Sequence, residues 1–546
     1  MNDNKSNQGG ANQSGNMYSY QDDNYPKEVE NGAIRRSLGN ENPNAIQNYL
    51  DNNSFQNDRN ERAINQNSIV IQVDQSPPLY WMFFLIVGII QIVFIIFLAN
   101  YYDWDELNHP STYKNTENKK AKSFIQKRYR VFQDINVMIF LGFGFLRAFL
   151  KHHSWSSIAL TLMSGVLSFE FGLFALICWS SIIQKEWFQG KFNFQHLLDG
   201  NFCAASMVIS MGALLGKLSL ARYFVMIIAE TIFSTLNYVI LRQRLEIIDV
   251  GGALGVHLFG SIFGAVFTLV SFIPHTERER IRQSPHLGKN YNSNIFGFFG
   301  TLILVAYWPS FNTALIDGNQ KYRGVINTYF SIGGSIIGTF LISPIFNDGK
   351  LKAEDILNAS FAGGIIVSGC CNIITHCWIS IFFGIFAAWI CSALFFCLNK
   401  RLIEKGYHDT AGIFIYQGIP AFLGGIVSTI FVGNLANWIS VPSDKEKYNP
   451  KEYYTLIGGI LDYNNFKFTL NYDKRAGIQF GSIFITVCIA AASGLIAGFS
   501  IKFCNCNIAI RYFNDSEFFD VSDCEPFPWE DEKVQLKVRN TIQEVN

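Results

Sequence analysis

The chain has 546 residues, no net charge, 16% charged residues against 49% hydrophobic ones, and a mean hydropathy of +0.16. Soluble domains average about a quarter charged residues, so this composition excludes an ordinary water-soluble enzyme. Its neutrality excludes a nucleic-acid surface built on excess positive charge.

In chain order, residues 1–78 are rich in Asn, Gln, Asp and Ser and poor in apolar side chains. They are expected to be a disordered tail, closed by Pro77 and Pro78. Residues 79–503 carry a succession of long apolar runs. Twelve spans near the ~20 residues a bilayer needs are expected, at 79–99, 131–150, 157–184, 196–216, 218–240, 249–273, 293–313, 322–343, 353–374, 377–398, 411–432 and 476–503. Lipid offers backbone groups no water, so the spans should be helices, and the fold class is an all-α polytopic membrane protein. Residues 504–546 form a second polar tail, in which Cys504 and Cys506 are positioned for palmitoylation. Arg278, Arg280, Arg282 and Lys289 in one loop, and Lys400, Arg401 and Lys405 in another, fall on the same side as the two tails. The positive-inside rule then makes both tails cytoplasmic, although the lysine-rich 100–130 loop opposes it.

The most informative feature is a repeat. Asp249-x2-Gly252-x4-His257-x6-Gly264 returns as Asp409-x2-Gly412-x4-Gln417-x6-Gly424. Spans two to six would then match spans seven to eleven. An odd number of spans per set inverts the second set, the plan of many transporters. His257 is the position of interest, because an ionisable group at mid-membrane marks a pathway by default. A plain polar pair between helices is the competing reading for His257 and Gln417. Eleven cysteines are scattered without metal-binding spacing. Glu170 and Glu230 lie inside apolar spans and are expected to pair, in the protomer interior or at a subunit contact. His152 and His153 close the second span and read as interfacial.

Several segments together resemble the Rh glycoproteins, the Rh branch of the ammonium transporter superfamily. They are Phe132-Gln-Asp-Ile-Asn through Gly-Phe-Gly-Phe-Leu146, Asn201-Phe-Cys-Ala-Ala-Ser206, Gly212-Ala-Leu-Leu-Gly-Lys217, Asp249-Val-Gly-Gly, Tyr307-Trp-Pro-Ser-Phe-Asn312, Asn327-Thr-Tyr329, Asn358-Ala-Ser-Phe-Ala-Gly-Gly364, Asp409-Thr-x-Gly and Gly418-Ile-Pro420. The resemblance is collinear over about residues 79–500. It implies a homotrimer in which each protomer has its own hydrophobic pore for ammonia, with carbon dioxide proposed for some members. By motif, His257 takes the first pore-histidine position, and Phe202 and Phe311 take the two gate positions. Asp249 and Asp409 take the buried aspartates, read here as structural helix caps, and Asn312 is a supporting residue. The departure is Gln417, which stands where the family has its second histidine. An amide hydrogen-bonds as an imidazole does but cannot carry a proton.

The expected function is therefore a channel for neutral ammonia, in a plasma or other cellular membrane. The alternative is a transport-inactive Rh-type scaffold subunit, because the second histidine is missing. No ATP-binding loop and no nucleophile–base set are visible, so neither pump nor enzyme is expected, and no cofactor.

Overall fold

The computed structural model describes residues 77–104, 119–150, 153–185, 190–192, 194–218, 220–271, 291–405, 409–438 and 472–504, with single positions at 407, 515 and 519. The expectations for the N-terminal tail up to residue 76, for His152, for Cys506 and the side chain of Cys504, and for the basic 274–290 loop lie outside the described residues.

Among the described residues, ten helices are long and apolar enough to cross a membrane. Helix α1 (Pro77–Tyr101) adds a further apolar stretch, Val87–Asn100. Helix α2 (Lys119–Asn136) continues as a π turn at Val137–Gly142, a helical turn at Phe143–Leu146 and a 3-10 turn at Arg147–Phe149. Then come α3 (Ser154–Gln184), α4 (Phe194–Leu214) and α5 (Leu220–Val239). A π turn at Ala253–Leu258 leads into α6 (Phe259–Ser271). The second set comprises α7 (Tyr291–Asn312), α8 (Gly318–Phe346), the short pair α9 (Ala353–Ala359) and α10 (Ala362–Ile366), α11 (Cys377–Leu394), and α12 (Ile419–Trp438), which follows a π turn at Phe414–Gly418. Helix α13 (Tyr472–Cys504) packs along α6 and α12. Two three-residue strands, Tyr102–Trp104 and Gly190–Phe192, pair in parallel beyond the ends of α1 and α3.

The expected span at 353–374 is not one helix. It is α9 and α10, followed by turns through residue 373. Irregular backbone at membrane depth survives where protein satisfies it, and here side chains of α8 do so. Ser335 Oγ donates to the Ala359 carbonyl and accepts from the Gly363 N–H, and Ser331 Oγ donates to the Gly363 carbonyl. The Asn327 amide donates to the carbonyls of Cys371 and Ile374, and Arg323 to that of Asn372. The break depends on residues some 30 positions upstream, so hydrophobic periodicity within 353–374 could not reveal it.

The two sets interlock reciprocally. The Gly251 N–H donates to the Ser368 carbonyl at 2.8 Å, and the Ala411 N–H to the Gly212 carbonyl at 3.1 Å. Each set thus threads the turn before its last helix against the third element of the other. The terminal glycines of the motif match as well. A Cβ on Gly264 would fall 2.8 Å from the Ser210 carbonyl, and one on Gly424 2.7 Å from that of Ile366. This is the inverted five-plus-five repeat, and it puts α4 and the broken α9–α10 segment in equivalent places.

Within the protomer the two glutamates of the apolar spans have separate partners. Glu170 accepts from the Gln91 amide on α1, and Glu230 accepts from Ser206 Oγ at 2.8 Å. His153 is buried and packs over Gly216, whose φ of +78° turns the chain beneath the ring. Asp515 accepts from the N–H groups of Trp155 and Ser156 and so caps the start of α3.

Candidate functional site

The two copies of the motif fold alike. Gly252 (φ +72°) and Gly412 (φ +66°) both adopt the left-handed conformation. A side chain there would cost about 1–2 kcal/mol. The aspartate three residues earlier then reaches over the turn. The Asp249 carboxylate accepts from the N–H groups of Leu254 and Gly255, and Asp409 Oδ2 accepts from that of Phe414 at 2.8 Å. Both carboxylates therefore fix the first turn of a helix, where the backbone has unsatisfied donors. Each first turn is a π turn, a widened turn common at functional sites, and it carries His257 in one copy and Gln417 in the other.

The turns meet at the centre. His257 Nδ1 lies 2.9 Å from Gln417 Oε1, and the histidine is fully buried. With the amide oxygen facing it, Nδ1 carries the proton and Nε2 is left as an acceptor. Among the described residues, Nε2 has no hydrogen-bond partner. A buried polar atom without a partner costs about 1–3 kcal/mol, which a small donor molecule at that position would offset.

Rings wall this nitrogen. Phe202 from α4 and Phe311 from α7 stack with centroids 4.7 Å apart and an interplanar angle of 10°. Phe311 meets the His257 ring edge-on at 6.0 Å. Phe311 thus lies between Phe202 and His257 and touches both. Trp308 also stacks on His257, 5.4 Å away and parallel within 14°, and itself stacks on Phe361. Trp308 was not singled out from the sequence, although it lies three residues before Phe311 and so on the same helix face. Asn312 donates to Thr328 Oγ1 and to the Gly364 carbonyl. It ties α7 to α8 and α10 and does not reach the His257–Gln417 pair.

On the other side of Gln417 lies a cavity with room for about one water-sized molecule, lined by Phe143, Arg147, Asn358, Ile413, Tyr416 and Gln417 among others. Arg147 is a second residue that was not singled out. Its signal was the one that drew attention to His257, a charge within an apolar span.

An inverted repeat of membrane helices, with a buried polar pair between ring walls at the repeat interface, defines a multi-pass membrane protein of the transporter class. Sequence comparison identifies which. The sequence model of the Ammonium Transporter Family matches residues 110–517. The ammonium transporter Rh type B of Takifugu rubripes is 30% identical over 83% of this chain and 95% of its own length. The Rh type C protein of Pan troglodytes is 28% identical over 78% of this chain and 86% of its own. The solved structure of Nitrosomonas europaea Rh50 superposes with a TM-score of 0.59 at 24% identity, covering 78% of this chain and 99% of that one. Saccharomyces cerevisiae Mep2 gives 0.51 at 13% identity, over 73% of this chain. The chain belongs to the Ammonium Transporter Family, in its Rh branch.

Proposed function

We propose that the chain conducts neutral ammonia along the line Phe202–Phe311–His257–Gln417. The observation that carries this reading is the unpartnered Nε2 of His257, held between aromatic walls while Gln417 occupies the other ring nitrogen. Ammonium entering such a place would lose its hydration without a counter-charge, at a cost of many kcal/mol. Ammonia is neutral and can donate to Nε2. Passage therefore requires a proton to be left at the Phe202 mouth, and the stacked rings act as a hydrophobic constriction that keeps water and ions out. The names of the Rh type B and type C relatives support the substrate. Gln417 cannot titrate, so this reading makes conduction electroneutral.

A homotrimer with one pathway per protomer accompanies this reading, and carbon dioxide is a second neutral gas the same walls would admit. A transport-silent scaffold is the alternative. The parallel stacking of Phe202 on Phe311, both buried to within 1%, favours it by closing one mouth.

Stopped-flow measurement of internal pH in proteoliposomes decides between them. An inward ammonia gradient should alkalinise the lumen faster than in protein-free vesicles. Equal rates would leave the scaffold reading, and a carbon dioxide gradient in the same vesicles tests the second gas.

A further inference from the structure

Arg147 is only 2% exposed, deep in a protein whose pathway is otherwise lined by rings and amides. A guanidinium stays charged in proteins. Its Nη2 donates to the Ile209 carbonyl at 3.2 Å, its Cζ lies 5.4 Å from the Phe143 ring centroid, and among the described residues Nη1 has no hydrogen-bond partner. Among the described residues it enters no ion pair. Asp409, the carboxylate of the neighbouring turn, is already committed to the Phe414 N–H. Among the described residues, Arg147 therefore brings a positive charge to this end of the pathway without an ion-pair partner.

The place is built for the guanidinium. A Cβ on Gly212 would lie 2.9 Å from the Arg147 Nε, so the bare glycine is what admits it. Arg147 and Gln417 line the same cavity. The Gln417 oxygen faces His257, which leaves the amide NH2 as its remaining polar group. Tyr416 Oη, the other hydroxyl nearby, is spent on Asp355. The free polar groups that Arg147 and Gln417 bring to this space are therefore donors. Asn358, whose NH2 donates to the Glu354 carbonyl, adds an amide oxygen, so it is the occupant's contact with Arg147 that requires a lone pair. Ammonia has one; the ammonium ion has none and meets a charge of its own sign.

We propose that Arg147 makes this cavity a station for a small hydrogen-bond acceptor, ammonia itself during conduction, and that it rejects the ammonium ion at the end of the pathway remote from Phe202 and Phe311. The proposal rests on the ammonia-channel reading and adds a specificity-determining residue to it. The rejection is electrostatic. A unit charge a few ångströms away in a medium of effective dielectric about 20 is worth several kcal/mol, and the hydrophobic rings supply none of that discrimination.

The test records ammonium-evoked current and internal pH together on membranes containing wild type, Arg147→Met, Arg147→Gln or Arg147→Lys. Wild type should pass ammonia without current. The two neutral variants lose the station and should lower the ammonia flux several-fold, while gaining a current about tenfold or more above background. Arg147→Lys should stay silent electrically, because it keeps the charge. Gln retains a donor for the Ile209 carbonyl, so it decides the matter if the Met variant fails to fold. Neutral variants with normal flux and no current overturn the proposal, as does a current of equal size in Arg147→Lys. If wild type shows no flux, the channel reading falls on its own. A current in Met and Gln but not Lys then still supports ion rejection by Arg147, and its absence overturns that too.

Discussion

The two halves of this molecule share a backbone and differ in what they hang on it. Both place an aspartate over a left-handed glycine, both follow with a π turn, and both press a glycine against the third element of their own set. One half then presents an imidazole and the other an amide. Beyond the pair the halves diverge further. The His257 side is closed by the stacked rings of Phe202 and Phe311, and the Gln417 side opens on a cavity holding Arg147 and Asn358. The scaffold of an inverted repeat is set by capping and close packing, which tolerate no change, whereas side chains facing the interface have no symmetry to obey. On the proposed reading, one mouth strips a proton and the other repels the ion, an asymmetry the repeat would accommodate in its side chains.

The comparison breaks most visibly at His257. It offers the pathway the one ring nitrogen of the pair with a free lone pair, so His257→Ala should reduce ammonia flux by an order of magnitude or more, about the worth of one lost hydrogen bond station. Gln417→Asn, which retracts the amide by one methylene, should lose several-fold less. Stopped-flow pH traces at matched protein density check this, and equal losses would mean the halves are functionally equivalent after all.

Gln417→His sharpens the same contrast from the other side. Two imidazoles at 2.9 Å would give a titratable site in each half. The side chains have similar reach, so the fold should be unaffected, with melting within about 0.5 kcal/mol of wild type. The flux should persist. If protons follow ammonia through such a pair, an ammonium-evoked current should appear that wild type lacks.

The scaffold symmetry has its own test. Gly252→Ala and Gly412→Ala should each destabilise the protein by about 1–2 kcal/mol, and by similar amounts, because both residues lie in the same left-handed conformation. Thermal unfolding in detergent reads this directly. A large effect at one site and none at the other would mean the turns are not equivalent in energy.

Much of this architecture was legible because it rests on local rules. Apolar length marked the spans, and a fixed spacing of Asp, Gly, His or Gln, and Gly marked the repeat, since each of those residues has a steric or capping duty at a fixed distance along the chain. What escaped the sequence depends on contacts between distant segments. The interruption at residues 360–361 is sustained by Ser331 and Ser335. The separation of Glu170 from Glu230 depends on Gln91 and Ser206, each in a different helix. Trp308 was hidden among many aromatics until the fold laid it on His257. Arg147 carried a readable signal, a lone charge in an apolar span, but nothing in the sequence brings Gly212 and Gln417 to it.

The smallest expected effect concerns a third carboxylate cap. Asp249 and Asp409 cap helices a few residues downstream, while Asp515 caps α3 from 359 residues away through Ser156. Its undocking should free the tail without touching the pathway. Burial raises the Asp515 pKa above its ordinary value, and the hydrogen bonds from Ser156 and Trp155 oppose this without cancelling it. A carboxyl whose docked pKa is raised docks best when protonated. The advantage is fully present below the free-carboxyl pKa of about 4 and is lost as pH rises through the docked value. Acidification should therefore slow hydrogen exchange at the Trp155 and Ser156 amides, once the intrinsic rate change is subtracted. Asp515→Asn keeps an acceptor oxygen without the charge, so at neutral pH it should protect those amides at least as well as wild type. Asp515→Ala should forfeit about 1 kcal/mol of cap and expose them. Weaker protection in Asn than in wild type at neutral pH would show that the charge itself, acting on the helix start, holds the tail in place.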